Sequence, residues 1–140
     1  MRPQFTGTFM APATPKILAV DDDPHVRRLL SRQLSLLGCE AEFAENASGF
    51  LARLSQPDSV YDLAIIDINL PGVDGREIIT WMRESDLSSI RCLPIVIITG
   101  FLEWIPSSFL SENGRCRILT KPYSHSDLKH CIAECAGRVN

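Results

Sequence analysis

Short apolar runs recur along the chain, and each is followed by a polar group. The runs occupy residues 17–20, 63–66, 93–98 and 118–119, and the groups that come after them are Asp21, Asp67, Thr99 and, beyond Thr120, Lys121. Continuous apolar runs are typical of strands buried on both faces of a parallel sheet. The stretch 40–44 is predicted to add one more strand, the second along the chain.

The segment after the first run predicts an amphipathic helix. Asp23 and Pro24 resemble an N-cap residue followed by a first-turn proline, and Gly38 is suited to end the helix. Apolar residues recur at helical spacing and are predicted to face inward; they are Val26, Leu29, Leu30, Leu34 and Leu37.

Helices are also predicted in the later connections. They lie after Asn46, over about 75–84, within 101–113 and over 126–137, and Pro106 restricts where the fourth helix can begin. Alternation of strands with helices predicts an α/β fold, in which a five-stranded parallel sheet carries helices on both faces.

The carboxyl ends of parallel strands meet at one edge of such a sheet and form its ligand crevice. Asp21, Asp22 and Asp67 are therefore expected to lie together. Each pair of like charges ~4 Å apart costs about 1 kcal/mol in water and about 4 kcal/mol at an effective dielectric of 20. A hard cation such as Mg²⁺ would offset that cost.

Thr99 and Lys121 add a hydroxyl and an ammonium group to the same edge, and both suit a phosphoryl oxygen. Taken singly, each of these residues has a structural explanation as a helix cap, a strand residue or a surface lysine. Taken together, they predict a phosphoryl-transfer site with an aspartate nucleophile.

Composition narrows the class of protein. The chain has 140 residues, a net charge of −3 and 45% hydrophobic residues, which fits one globular domain without a nucleic-acid-binding surface. Five scattered cysteines without CxxC spacing argue against a disulfide framework or a zinc site, so a reduced, cytoplasmic protein is expected. No apolar run is long enough to cross a bilayer, and no secretory signal is evident. Residues 1–15 are predicted to be a flexible arm and residues 16–140 the domain.

Four segments in order resemble the receiver domains of bacterial two-component response regulators. They are residues 17–24, 67–75, 97–100 and 119–123. The resemblance implies a doubly wound, flavodoxin-like sheet with strand order 2-1-3-4-5. It also implies that Asp67 accepts a phosphoryl group from a histidine kinase or a phosphotransfer protein.

The same resemblance implies a role for each of the other site residues. Asp22 and Asp67 would ligate Mg²⁺ directly, Asp21 largely through water, and Asn69 through its backbone carbonyl. Thr99 would bond the phosphoryl group and act as the switch, while Lys121 would pair with that group and form a cis peptide with Pro122.

The chain departs from the family pattern on the fifth strand and just after the fourth. Ile118 occupies the place of the usual aromatic residue, so an aromatic flip cannot report phosphorylation. Phe101 is apolar where polar residues are frequent, and we hypothesise that it shields the acyl phosphate from water. Residues 101–110 hold six large apolar residues, which either pack inside as an irregular loop or form a partner surface. In the second case, Phe101, Trp104, Ile105 and Ile118 would form an apolar surface for a downstream target or for a homodimer through the fourth-helix, fifth-strand and fifth-helix face.

Two other functions are compatible with these residues. A pseudo-receiver would bind partners without phosphorylation, and Ile118 favours it. A Mg²⁺-dependent phosphatase of the haloacid dehalogenase type also uses an aspartate nucleophile, but it normally places that aspartate on the first strand.

Overall fold

The computed structural model describes residues 14–102, 105–111 and 115–136, and within them a five-stranded parallel sheet forms the centre of the molecule. Its strands are β1 (Lys16–Val20), β2 (Glu40–Ala44), β3 (Leu63–Asp67), β6 (Ile95–Thr99) and β7 (Cys116–Thr120). They lie in the order β2-β1-β3-β6-β7, and β4 (Asn69–Leu70) and β5 (Val73–Asp74) form a separate antiparallel hairpin. Counting the strands of the main sheet alone gives 2-1-3-4-5, so the predicted fold class is confirmed.

The helices pack on both faces of this sheet. They are α1 (Pro24–Leu36), α2 (Ala47–Leu54), α3 (Gly75–Arg83), α4 (Ser88–Arg91) and α5 (His125–Ala136), with a 3₁₀ helix at Ser107–Ser111. One apolar cluster includes side chains of α2, α3 and α4, and a second cluster on the other face includes side chains of α1 and α5. None of the described helices combines the length and the apolar character needed to span a membrane.

Helix boundaries follow the local signals in the sequence. The Asp23 carboxylate accepts a hydrogen bond from the backbone N–H of His25 at 2.8 Å and caps α1. The Asn46 side chain accepts a hydrogen bond from the N–H of Gly49 at 2.8 Å and caps α2. Gly38 follows α1 with a φ of 77°, a conformation that glycine adopts without a Cβ clash.

Two predictions about the helices are wrong. Leu29 was expected to face inward on α1, yet it is 56% exposed, because Leu30, Leu34 and Leu37 already fill the buried face. The described part of residues 101–113 contains the 3₁₀ helix at Ser107–Ser111 in place of a full α-helix. Pro106 precedes this turn and has no backbone N–H for a helical hydrogen bond.

Candidate phosphoryl-transfer site

Three carboxylates meet at the carboxyl edge of the sheet. Asp21 and Asp22 follow β1, and Asp67 is the last residue of β3, which pairs with β1 in parallel register. One carboxylate oxygen from each of these residues lies within 4.8 Å of the other two. Asp21 and Asp67 are only 3% and 5% exposed, whereas Asp22 is open to solvent. The predicted acidic cluster is thus present in the structure.

Backbone groups hold the two buried carboxylates in place. The N–H of Asp23 donates to Oδ1 of Asp21 at 2.9 Å, and the N–H of Asn69 donates to Oδ1 of Asp67 at 3.0 Å. Arg27 donates from Nη1 to the backbone carbonyl of Asp21 at 2.8 Å. Each backbone bond uses only one acceptor site of an Oδ1 atom, and an ionised carboxylate has about four such sites, so both groups can still accept a ligand.

The carboxylates of Asp21, Asp22 and Asp67 repel one another, and nearby positive charge does not fully offset this repulsion. The pKa of Asp21 is raised to about 6, chiefly by burial; the charge of Asp67 and a side-chain hydrogen bond with it also raise this pKa, whereas the Asp23 backbone N–H and the Lys121 charge lower it. A set of oxygen donors that repel one another suits a hard divalent cation, which neutralises the carboxylates and takes oxygen ligands. The residues present therefore fit the Mg²⁺ site that the sequence predicts.

Thr99 is the last residue of β6 and Lys121 comes directly after β7; both strands lie on the side of β3 away from β1. Thr99 is fully buried at the end of β6; its Oγ1 accepts a hydrogen bond from the N–H of Phe101 at 2.9 Å. Lys121 follows β7, and its Nζ lies 3.6 Å from Oδ2 of Asp67. The backbone N–H of Lys121 donates to the carbonyl of Thr99 at 2.8 Å, and the Lys121–Pro122 peptide is cis.

Gly75, predicted only as the start of a helix, also shapes the site. Gly75 begins α3 and donates its N–H to the carbonyl of Ile68 at 3.0 Å. A Cβ at this position would lie 2.8 Å from Cα of Ile68 and 3.0 Å from the carbonyl oxygen of Asp67. Only glycine allows α3 to approach the strand that ends at Asp67 so closely, and the Asp-Gly pair was the available signal.

The predicted apolar partner surface is not formed as expected. Ile105 is 8% exposed and belongs to the core, so its assignment to a surface is wrong. Ile118 is partly buried against the same core, Phe101 is 46% exposed, and Trp104 lies outside the described residues. Ile105 turns inward because the segment after β6 packs on the core, whereas Ile118 is a residue of β7 in the sheet itself. A homodimer through this face stays a prediction.

Comparison with known families agrees with this geometry. The model of the response regulator receiver domain matches residues 17–133. The chain belongs to that family. Receiver domains are components of two-component systems, and the carboxylate cluster occupies the carboxyl edge of the sheet on which this family's fold is built.

Similar proteins include a sensor protein and a chemotaxis response regulator. The chain is 30% identical to the sensor protein GacS of Pseudomonas syringae pv. syringae over 94% of its own length, but it spans only 14% of that protein. It resembles the chemotaxis response regulator CheY4 of Vibrio cholerae with a TM-score of 0.72 and 26% identity, covering 88% of this chain and 99% of the other.

A further similar structure is the receiver domain of a sensor histidine kinase from Pseudomonas aeruginosa PAO1, described with a magnesium ion coordinated in its active-site cleft. Its TM-score is 0.71 at 24% identity, and the match covers 89% of this chain and 99% of that one. At this level of identity the similarity establishes the fold.

Proposed function

We propose that this receiver domain accepts a phosphoryl group on Asp67 from the phosphohistidine of a histidine kinase or a phosphotransfer protein. The principal support is the position of the Asp67 carboxylate, which is buried, clustered with Asp21 and Asp22, and 3.6 Å from the Lys121 ammonium. A carboxylate oxygen attacks phosphorus, the new O–P bond forms as the N–P bond breaks, and the departing imidazole takes up a proton.

Mg²⁺ is the cofactor of this proposal. Asp21, Asp22 and Asp67 would hold it, together with the backbone carbonyl of Asn69. When bound, the ion neutralises the carboxylates and the charge of the transferring phosphoryl group. The magnesium ion described for the Pseudomonas aeruginosa receiver domain supports this choice of metal.

The remaining site residues position the phosphoryl group. Lys121 supplies a positive charge on the side of Asp67 opposite the acidic pair, where it would contact a phosphoryl oxygen. Thr99 would contribute its hydroxyl after releasing its present contacts with the Phe101 backbone. This rearrangement at the end of β6 would switch a partner-binding surface.

The domain would act as a regulatory phosphoacceptor and not as an enzyme that turns over an external substrate. We place it in the cytoplasm, because all five cysteines are free thiols, which fits a reducing compartment. Its upstream partner would be the phosphohistidine donor.

Intact-mass spectrometry after incubation with phosphoramidate tests the proposal. We expect one phosphate to be added in the presence of Mg²⁺, none in the presence of a chelator, and none in Asp67→Asn. Asp58→Asn, which removes an exposed loop carboxylate, is the matched control and should be labelled normally.

Absence of labelling, together with no Mg²⁺-dependent binding of beryllofluoride by calorimetry, would refute a phosphoacceptor role and favour a pseudo-receiver. Sustained hydrolysis of a phosphate monoester would instead indicate a phosphatase.

A further inference from the structure

A groove of about 530 Å³ lies between α3 and the chain around the 3₁₀ helix at Ser107–Ser111. Trp81 of α3 lines it together with Pro106 and Phe109, and Glu77 and Glu84 add two carboxylates. None of these residues belongs to the carboxylate cluster at Asp67, so the phosphoryl-transfer site does not account for the groove.

Trp81 is an unusual residue for its position. Helix α3 buries Ile78, Ile79 and Met82 against the core, and Trp81 stands outside this face with 42% of its surface exposed. A tryptophan exposed among polar residues loses the benefit of burying its large apolar ring. Such residues often anchor protein interfaces, where a partner covers the ring.

The groove is lined by three carboxylates and one guanidinium, those of Asp74, Glu77, Glu84 and Arg76, so its charged lining is net negative. Glu77, Trp81 and Glu84 follow one another at intervals of four and three residues, so they share one face of the helix. Among the described residues, neither glutamate forms a salt bridge. The nearby Arg76 guanidinium is bound to Asp74 by several hydrogen bonds.

The position of Glu84 at the end of α3 also favours a positively charged ligand. Glu84 is the C-cap residue of α3, at the end of the helix where the backbone dipole is negative and a carboxylate is unfavourable. A positively charged ligand would relieve this repulsion. The groove thus combines an exposed aromatic ring with two carboxylates: Glu77, whose charge is partly offset by the Arg76 guanidinium, and Glu84 at the unfavourable end of the helix.

We propose that this groove binds a basic peptide segment of a partner protein. An arginine or lysine side chain of that segment lies over the Trp81 ring between the two carboxylates, where cation–π attraction and charge pairing act together. A neighbouring apolar side chain of the segment packs against Phe109. Charge complementarity selects this occupant, because an acidic segment would be repelled by Glu77 and Glu84.

Selection from a phage-displayed library of random dodecapeptides tests the proposal. The full chain is the bait, and Glu77→Gln/Glu84→Gln is the counter-selection bait. We expect enrichment of peptides that combine basic residues with an apolar one. In calorimetry, a synthetic peptide of the most enriched sequence should bind the double variant and Trp81→Ala at least tenfold more weakly, while Glu40→Gln, at an exposed position on β2, binds it normally.

Replacing the peptide's arginines with citrulline, which is neutral and nearly isosteric, should cause a similar loss. Binding should persist in Asp67→Asn, since the proposal does not depend on phosphoryl transfer. Failure to enrich any sequence that distinguishes wild type from the double variant, or equal binding of the citrulline peptide, would overturn it. Sedimentation as a dimer that becomes a monomer in the double variant would also overturn it, since a second copy would then occupy the groove.

Discussion

The Nζ atom of Lys121 lies 3.6 Å from Oδ2 of Asp67 and comes from the end of strand β7. The two residues are separated along the chain by more than a complete strand–helix unit, and the sheet brings them together. Lys121 is a partly exposed cation beside the buried carboxylates of Asp21 and Asp67. It can therefore contact an incoming phosphoryl group while it stays close to Asp67.

Replacing Lys121 with alanine should slow phosphorylation by phosphoramidate about ten- to a hundredfold. A hydrogen bond to a charged group contributes about 1.5–3 kcal/mol, and each 1.36 kcal/mol changes a rate about tenfold. The time course of intact mass measures this rate. Lys129→Ala, on the exposed face of α5, is the control. Equal rates in the two variants would rule out the proposed role of Lys121.

Asp21→Asn should stabilise the metal-free protein at neutral pH. Burial raises the pKa of Asp21 from 3.8 to about 6, so the folded state binds more protons than the unfolded state between these values. Stability from this group is therefore present below about pH 4 and is lost as pH rises through about 6. We expect a gain of about 1–3 kcal/mol at pH ~7.5 that shrinks towards pH ~5.

Urea unfolding in the presence of a chelator measures that difference, with Asp58→Asn as the control. A stability gain that is the same at both pH values would show that the Asp21 charge is not its cause.

Phe101→Glu should shorten the lifetime of the phosphorylated protein. Phe101 is 46% exposed and its backbone N–H donates to the Thr99 hydroxyl, so the residue directly adjoins the proposed phosphoryl site, and the hypothesis is that its ring excludes water there. Loss of phosphate, followed by mass after the donor is removed, gives the lifetime. Leu102→Glu places the same charge on the next residue, which is 54% exposed. An unchanged lifetime in Phe101→Glu would refute the shielding hypothesis.

Gly75→Ala should lower the free energy of unfolding by about 1–3 kcal/mol, the usual cost of forcing extra atoms into a packed site. The new Cβ would meet backbone atoms of Ile68 and Asp67, which cannot rotate away as a side chain can. Gly100→Ala is the matched control, because a Cβ there has no heavy atom within 4 Å. Similar stabilities for the two variants would contradict the close approach of α3.

The sequence predicts the strands of the sheet and the acidic cluster well, for a shared physical reason. A strand such as β3 is buried at all five positions, so its sequence is almost entirely apolar and the closing Asp67 stands out. Parallel pairing then places the ends of β1 and β3 side by side.

The segment that follows β6 is harder to predict. Apolar residues between β6 and β7 suit either an amphipathic helix or an irregular segment that packs on the core. Ile105 is buried in the core, as the irregular segment requires. The exposure of Leu29 has a similar origin, since α1 carries more leucines than one buried face can hold. Spacing alone does not specify which of them is covered.

The contact at Gly75 has a mechanical consequence. Helix α3 has nine residues and is therefore about 13 Å long, and it touches the backbone after Asp67 at its first residue. A tilt of about 5° about that contact would displace the far end of the helix by about 1 Å. Trp81 and Glu84 lie towards that far end. A small backbone shift next to Asp67 would thus be enlarged along α3, where it would alter the spacing between Trp81 and the chain at Phe109.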